Sequence, residues 1–198
     1  MAETSRFELW RSAFLSVVQE QDVAAPLKAA SLAEDLKVWT SCLTSAVVTS
    51  CRELGWLAAA KGHRLDELPQ AGQEYLSIDV MAFASSPATG RWRLPIAAFE
   101  LENHRTDDRV GYSLWKVLCL RTDLRVVFAF RRDWEESRRS VDTICRDVVG
   151  SLTIPERVAV TGETVLIIGN RGDGETFPWG YFKMWLLDTN VGRFEKIS

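Results

Sequence analysis

Histidine and paired cysteine, on which several enzyme classes depend, are scarce in this sequence. Its 198 residues include two histidines, His63 and His104, and four cysteines, none of which form a Cys-x-x-Cys motif. We therefore expect neither a zinc site nor a disulfide framework. The shortage of histidine also disfavours Ser-His-Asp and Cys-His catalysis, and the sequence contains no Gly-x-Ser-x-Gly or His-Glu-x-x-His motif.

A glycine-rich phosphate loop is missing as well. The nearest candidate is Gly-Asn-Arg-Gly-Asp-Gly at 169–174, which lacks the Gly-Lys-Ser/Thr ending and precedes a predicted strand instead of a helix. This segment predicts a hairpin loop.

Apolar runs of membrane-spanning length are absent too. The N-terminal residues MAETSRFELWRSAF resemble neither a secretory signal, with a basic segment and an apolar core, nor an arginine-rich transit peptide with few acids. We expect a cytoplasmic protein with no membrane partner.

Size and charge set further limits. With 46% hydrophobic residues, the chain can bury the core of a single domain spanning residues 1–198. The net charge of −3 does not indicate nucleic acid, yet half of the 24 basic residues lie between 91 and 147. Eleven of these are arginines, which suit bidentate phosphate contacts, although an ion-paired surface role is the plainer interpretation for any one of them. They are Arg91, Arg93, Arg105, Arg109, Arg121, Arg125, Arg131, Arg132, Arg138, Arg139 and Arg146.

Helical periodicity dominates the first part of the chain. Apolar residues at three- and four-residue spacing predict an amphipathic helix over 4–20, followed by a loop through Pro26. Ser31 and Glu34 have capping-box spacing, and they predict the start of a long helix that runs to about Ala60.

Predicted strands and helices alternate beyond this helix. In chain order they are a strand at 74–83, a turn at 85–90, a strand at 92–103, a helix from Asp107 or Asp108 to about 121, a strand at 124–130, a helix from 133 to about 150, and strands at 163–169 and 179–188. This alternation predicts an α/β fold with a sheet that is at least partly parallel.

Two carboxylates end one of the predicted strands. Glu100 and Glu102 share a face of the strand at 92–103, because side chains alternate in direction along an extended chain. Both faces of this strand begin apolar, so an uncompensated charge there would cost several kcal/mol, by order of magnitude. An arginine, a shared proton or a divalent metal could each compensate it.

The order of these elements resembles the core of the PD-(D/E)xK nuclease superfamily, which has the restriction-endonuclease-like fold. The resemblance rests on a long helix, a strand bearing Asp79, a turn, a strand ending in Glu100-Leu-Glu102, a helix and a further strand. It covers roughly residues 31–130 and implies a nuclease-like core of roughly 31–170. The implied architecture is a mixed central sheet flanked by helices, an αβββαβ core with an N-terminal helix and C-terminal strands added.

The resemblance also assigns roles to individual residues. Asp79 matches the acid of the second core strand, Glu100 matches the acid of the third, and Glu102 stands at the position of the family's lysine. The sequence Glu-Leu-Glu-Asn is similar to a Glu-x-Glu-Asn variant within the superfamily. Lys116, in the following helix, is the implied replacement for the lysine, and Glu53, near the end of the long helix, is the implied additional acid.

An Mg²⁺-dependent or Mn²⁺-dependent nuclease is the function that this resemblance implies. Asp79, Glu100, Glu102 and Glu53 would bind the metal, and Lys116 would join the first three in catalysis. The expected substrate and partner is DNA, and gripping a duplex would call for a second copy of the chain or a protein partner.

Other interpretations stay open. Loss of the family's lysine would leave an inactive fold that binds nucleic acid or protein. Alternatively, the two glutamates could form the acid–base pair of a metal-free hydrolase. Asp79 could also be an ordinary ion-paired residue, with Arg91 or Arg93 as its partner.

Overall fold

A mixed β-sheet of seven strands lies at the centre of the fold. The structure is a computed structural model that describes residues 5–86 and 90–197. The strands are β1 (Leu57–Ala60), β2 (Val80–Phe83), β3 (Ala97–Leu101), β4 (Leu124–Arg131), β5 (Glu163–Asn170), β6 (Phe182–Asp188) and β7 (Arg193–Ile197). They follow one another across the sheet in chain order. Strands β3, β4 and β5 are parallel, and every other neighbouring pair is antiparallel. The predicted α/β class with a partly parallel sheet is confirmed.

Helices cover both faces of this sheet. They are α1 (Arg6–Val17), α2 (Gln21–Leu32), α3 (Leu36–Glu53), α4 (Asp107–Leu118), α5 (Trp134–Asp147) and α6 (Ile154–Val158). Short 3₁₀ turns occur at Val149–Ser151 and Arg171–Thr176. Side-chain caps begin several helices: Asp35 accepts from the Val38 amide at the start of α3, and Asp133 accepts from the Glu136 amide at the start of α5.

Two hydrophobic cores form, one on each face of the sheet. Helices α1 and α3 bury Trp10, Phe14 and Trp39 against one face, whereas α4 and α5 bury their apolar residues against the other. Strand β3 contributes alternate residues to the two cores, Phe99 to the first and Ala98 to the second, as the period of two requires. All five residues of β3 are buried, so the prediction of a strand covered on both sides is confirmed.

The prediction of one long helix from 31 to about 60, preceded by a loop through Pro26, is wrong. Pro26 lies inside α2, and the Ser31 hydroxyl is hydrogen-bonded to the Tyr181 hydroxyl at 2.5 Å instead of capping a helix. Asp35 caps α3. That helix ends before Gly55, whose positive φ of 72° turns the chain into β1.

The strand predicted at 74–83 is also shorter in the structure. Leu76 and Ser77 have φ values of 55° and 54°, which an extended strand excludes, so β2 begins only at Val80. The strand predicted at 92–103 is reduced to β3. Of the turn predicted at 85–90, residues 87–89 lie outside the described residues.

Most predictions for the rest of the chain are confirmed. Strands β4 and β5 begin at the expected residues, and helices α4 and α5 and strand β6 begin within three residues of their expected starts. The loop predicted at 169–174 connects the antiparallel pair β5 and β6, as a hairpin loop should. None of the helices in the described part of the chain combines the length and the apolar composition that a membrane span requires.

Candidate active site

Glu100 is a carboxylate in the middle of the protein. Its side chain is 4% exposed, and it lies on the face of β3 that carries Ala98, which is the face covered by α4. Strand β3 lies inside the sheet, paired with β2 on one side and β4 on the other. A charge held here requires a partner.

Lys116 is that partner. It lies in the last turns of α4, and its Nζ is 2.7 Å from Glu100 Oε2. The same ammonium donates a hydrogen bond of 2.7 Å to the Ser77 carbonyl oxygen. The compensating group for the buried glutamate is therefore a lysine from the next helix and not an arginine.

Asp79 lies at the bend directly before β2. Its Oδ2 accepts a 2.7 Å hydrogen bond from the Leu101 amide, which fastens this carboxylate to the end of β3 between Glu100 and Glu102. The prediction that Asp79 lies within a strand is wrong, because the strand starts after Asp79. The bend before β2 therefore places the Asp79 carboxylate next to the end of β3, where the two glutamates lie.

Glu102 follows the last residue of β3, and its side chain turns toward the start of the next loop. Its Oε1 accepts a 2.8 Å hydrogen bond from the His104 amide, and its Oε2 accepts from the Ser113 hydroxyl at 3.4 Å. Glu102 is half-buried, so it is better hydrated than Glu100. We call Asp79, Glu100, Glu102 and Lys116 the acid–lysine cluster.

The carboxyl groups of this cluster influence one another electrostatically. The pKa of Glu100 is raised to about 7. Burial is the main cause and the negative charge of Asp79 adds to it, while the Lys116 ammonium and the Ser113 hydroxyl oppose the shift. Burial likewise raises the pKa of Asp79. The Leu101 amide and Lys116 oppose this shift, whereas Glu102 adds to it. The four residues therefore form one electrostatic unit.

One oxygen of the cluster has no hydrogen-bond partner. Glu100 Oε1 is buried and unsatisfied, whereas Oε2 contacts Lys116. An unsatisfied buried carboxylate oxygen is costly unless a ligand or a proton occupies it. Among the described residues, however, no three histidine, cysteine, aspartate or glutamate side chains group closely enough to hold a metal ion.

Glu53 lies apart from the cluster. It is exposed at the last residue of α3, and the buried residues of α3 belong to the core on the opposite face of the sheet from α4. The structure thus brings together Asp79, Glu100, Glu102 and Lys116, and it does not bring Glu53 to them.

Two contributors to the site were not recognised in the sequence. The left-handed conformation of Leu76 and Ser77 aims the Ser77 carbonyl at Lys116, and strain of this kind is common at functional sites. Ser113 lies on the face of α4 that points to the glutamates. Helical spacing from Lys116 could have indicated Ser113, whereas no local pattern signals the backbone conformation at Ser77.

The arginines of the middle segment are mainly structural. Arg125 is buried and donates to the carbonyl oxygens of Val117, Leu120 and Thr161, and Arg131 is buried against Asp107 and Ser140. Several others pair with acids at the surface: Arg105 with Glu34, Arg132 with Asp133, Arg138 with Glu135 and Arg146 with Asp147. These four surface arginines form the ion pairs that the plainer interpretation predicts.

Comparison with protein-family models, with curated protein sequences and with solved structures gave no match to this chain.

Proposed function

We propose that this protein is a metal-dependent hydrolase of nucleic-acid phosphodiester bonds, built on the restriction-endonuclease-like fold. The observation that carries the proposal is the contact between the buried Glu100 and Lys116, with Asp79 bound to the adjacent Leu101 amide. The resemblance requires two acids and a lysine, and Glu100, Asp79 and Lys116 are these groups.

The order of elements supports the same proposal. The chain runs α3, β1, β2, β3, α4, β4, which is the αβββαβ order that the resemblance implies. The second core strand follows Asp79, the third carries Glu100, and the helix after it carries Lys116. Glu100 thus comes from the strand on which the family would present it, whereas Asp79 lies directly before its strand and the lysine comes from α4.

Lys116 can replace the family's lysine, whose position is occupied by Glu102 in this chain. Glu102 stands where the lysine is expected, and its carboxylate is engaged by the His104 amide and the Ser113 hydroxyl. Lys116 Nζ reaches Glu100 from the neighbouring helix, so the cluster retains an ammonium beside the acid. That ammonium can orient an attacking water or stabilise a phosphate oxygen.

The residues present are compatible with Mg²⁺. Mg²⁺ binds carboxylate oxygens and keeps several waters, so one or two protein carboxylates are a sufficient protein contribution. Asp79 and Glu100 would supply them, and the unsatisfied Glu100 Oε1 is an available acceptor. When bound, the metal would neutralise the crowded acids, lower the pKa of a bound water and stabilise negative charge on phosphorus.

A plasmid-nicking assay tests this proposal. Wild-type protein with Mg²⁺ or Mn²⁺ should convert supercoiled plasmid to the nicked form, and EDTA should stop the reaction. Glu100→Gln should abolish nicking while circular dichroism shows a retained fold. Glu53→Gln is the matched control, because Glu53 is exposed on the other side of the sheet, and it should cleave like the wild type. Equal nicking by the Glu100→Gln variant would exclude the assigned role.

An inactive protein that binds nucleic acid or protein is the second candidate. It is favoured by the absence, among the described residues, of a group of three metal-binding side chains and by the net charge of −3. In that case Lys116 simply neutralises Glu100 to hold α4 on the sheet. Binding of DNA that neither Mg²⁺ nor Mn²⁺ converts to cleavage would support this candidate over the first.

A further inference from the structure

Two aromatic side chains on α4 face solvent beside the acid–lysine cluster. Tyr112 is 55% exposed and Trp115 is 52% exposed, although large rings are usually more buried than this. Their ring centroids are 6.0 Å apart with an interplanar angle of 28°, so the two rings are stacked. We call them the α4 aromatic pair.

The helix itself explains why this pair faces outward. Val110, Leu114 and Val117 form the buried stripe of α4, and Tyr112 and Trp115 fall on the opposite side at helical spacing. The core is filled without them. Their exposure therefore has no explanation in the packing of the described residues.

Lys116 links the aromatic pair to the cluster. Its Nζ lies 6.0 Å from the centroid of the Tyr112 ring, over the ring face, and 2.7 Å from Glu100 Oε2. A phosphate held at Lys116 would therefore lie near the Tyr112 ring, on which Trp115 stacks.

The surroundings of the pair suit a polyanion. Arg109 is exposed one turn before Tyr112, and Arg121 is exposed just after the end of α4. Trp115 and Arg121 also line an open cavity of about 550 Å³ between the end of α4 and α6. Its wall includes Glu156, but that carboxylate is occupied by the capping box of Thr153. Of the two acids that begin α4, Asp107 is neutralised by Arg131 and Asp108 is exposed at the far end from Trp115.

We propose that the α4 aromatic pair stacks on an unpaired base of the substrate, so that the protein acts on single-stranded or locally unpaired nucleic acid. This inference rests on the proposed function, because it takes the acid–lysine cluster as the position of the phosphate. In a duplex each base face is covered by its neighbours, and an exposed ring can stack only on a base that has left the helix. Stacking of this kind is tolerant of sequence, since every base has an aromatic face.

Binding is measured separately from cleavage. Fluorescence anisotropy of a labelled single-stranded oligothymidylate, and of a duplex of equal length, is recorded in EDTA at one fixed salt concentration. Wild-type protein should bind the single strand more tightly than the duplex. EDTA removes any metal, so this binding assay does not depend on cleavage. Failure of the nicking assay would count against the proposed function alone. Failure to prefer the single strand would count against the proposed role of the α4 aromatic pair.

Substitutions at Trp115 distinguish stacking from a general apolar contact. Trp115→Phe keeps a ring and should bind the single strand within about three-fold of the wild type. Trp115→Leu and Trp115→Ala remove the ring face and should bind about five-fold more weakly or worse, since stacking by one aromatic side chain is worth at least about this factor. Circular dichroism should be unchanged because the side chain is half exposed.

Trp179 provides the matched control. It is 62% exposed but lies beside α1, on the opposite face of the sheet from α4. Trp179→Ala should bind the single strand like the wild type. Equal affinity of the Phe, Leu and Ala variants at Trp115, or equal weakening by Trp179→Ala, would overturn the proposal and leave the α4 aromatic pair as a contact surface for a protein.

Discussion

Lys116 Nζ lies 2.7 Å from Glu100 Oε2, and this contact joins a helix to the strand beneath it at the least hydrated point of the site. The Lys116 side chain is 23% exposed and the Glu100 side chain 4% exposed, so the pair has one partner near water and one deep in the protein. The second bond of Lys116, to the Ser77 carbonyl, fixes the ammonium between β3 and the strained bend before β2. Both the charge of Glu100 and the geometry of the site depend on this lysine.

Replacing Lys116 by methionine should therefore remove the proposed cleavage activity without unfolding the protein. Methionine retains the packing of the aliphatic part but leaves Glu100 without a positive partner, which favours its protonated form. We expect cleavage to fall by about 100-fold or more, the usual loss when one electrostatic donor is removed from an active site. Quantified plasmid nicking measures the effect.

Lys61→Met serves as the control for this substitution. Lys61 is exposed in the turn after β1, and its replacement should leave nicking at the wild-type rate. Cleavage by the Lys116→Met variant at the same rate as this control would show that Lys116 has only a structural role.

The pKa of Glu100 predicts how stability depends on pH. Burial raises this pKa from an ordinary value of 4.5 to about 7, so between these pH values the folded protein binds a proton that the unfolded chain has released. The free energy of unfolding of the wild type should then fall as pH rises through this window, by up to about 3 kcal/mol. Glu100→Gln has no such group, and its stability relative to the wild type should rise over the window and level off above pH 7.

Urea denaturation of both proteins at a series of pH values, with EDTA present, measures this difference. Loss of the ion pair with Lys116 also changes the free energy of unfolding of the variant. That change is a constant offset, and it does not produce a dependence on pH between 4.5 and 7. A difference between the two proteins that stays constant from pH 4.5 to pH 7 would contradict the raised pKa of Glu100.

Arg125 should contribute to stability and not to binding of a polyanion. Its guanidinium is buried and donates to three backbone carbonyl oxygens, which would lose their partner in Arg125→Met. We expect the free energy of unfolding to fall by about 2–4 kcal/mol, since unsatisfied buried polar groups are costly.

The exposed Arg132 is the matched control for Arg125. Its pairing with Asp133 occurs at the surface, and Arg132→Met should change the free energy of unfolding by only about 0.5 kcal/mol. Urea denaturation compares the two variants. Similar, small losses would mean that Arg125 is not satisfied inside the protein as the structure describes.

Local sequence patterns predicted a large part of the fold. The apolar, β-branched segments 124–130 and 163–169 form β4 and β5, because continuous apolar runs fit the interior of a parallel sheet. Asp133 starts α5 because its carboxylate can satisfy a free amide of the first turn. The formation of these elements depends on residues adjacent along the chain, and such local patterns can be identified in the sequence.

The boundary between α2 and α3 could not be predicted in the same way. Ser31 and Glu34 have the spacing of a capping box, but the Ser31 hydroxyl bonds to Tyr181, which lies far away in the chain. Asp35 is then the residue that caps α3. The competing partner exists only once β6 has joined the sheet, so the local pattern was misleading.

For the acid–lysine cluster, too, the sequence predicted some features and only the tertiary structure decided the others. Residue type and spacing were sufficient to identify Glu100 and Glu102 as candidates, because carboxylates next to buried strands need compensation. Asp79 was added by the resemblance to the nuclease superfamily. The choice of Lys116 as the compensating group, the exclusion of Glu53 from the cluster and the raised pKa of Glu100 depend on packing between α4 and the sheet. Burial and distance between segments remote in sequence set these properties, and they arise only when the chain has closed around its core.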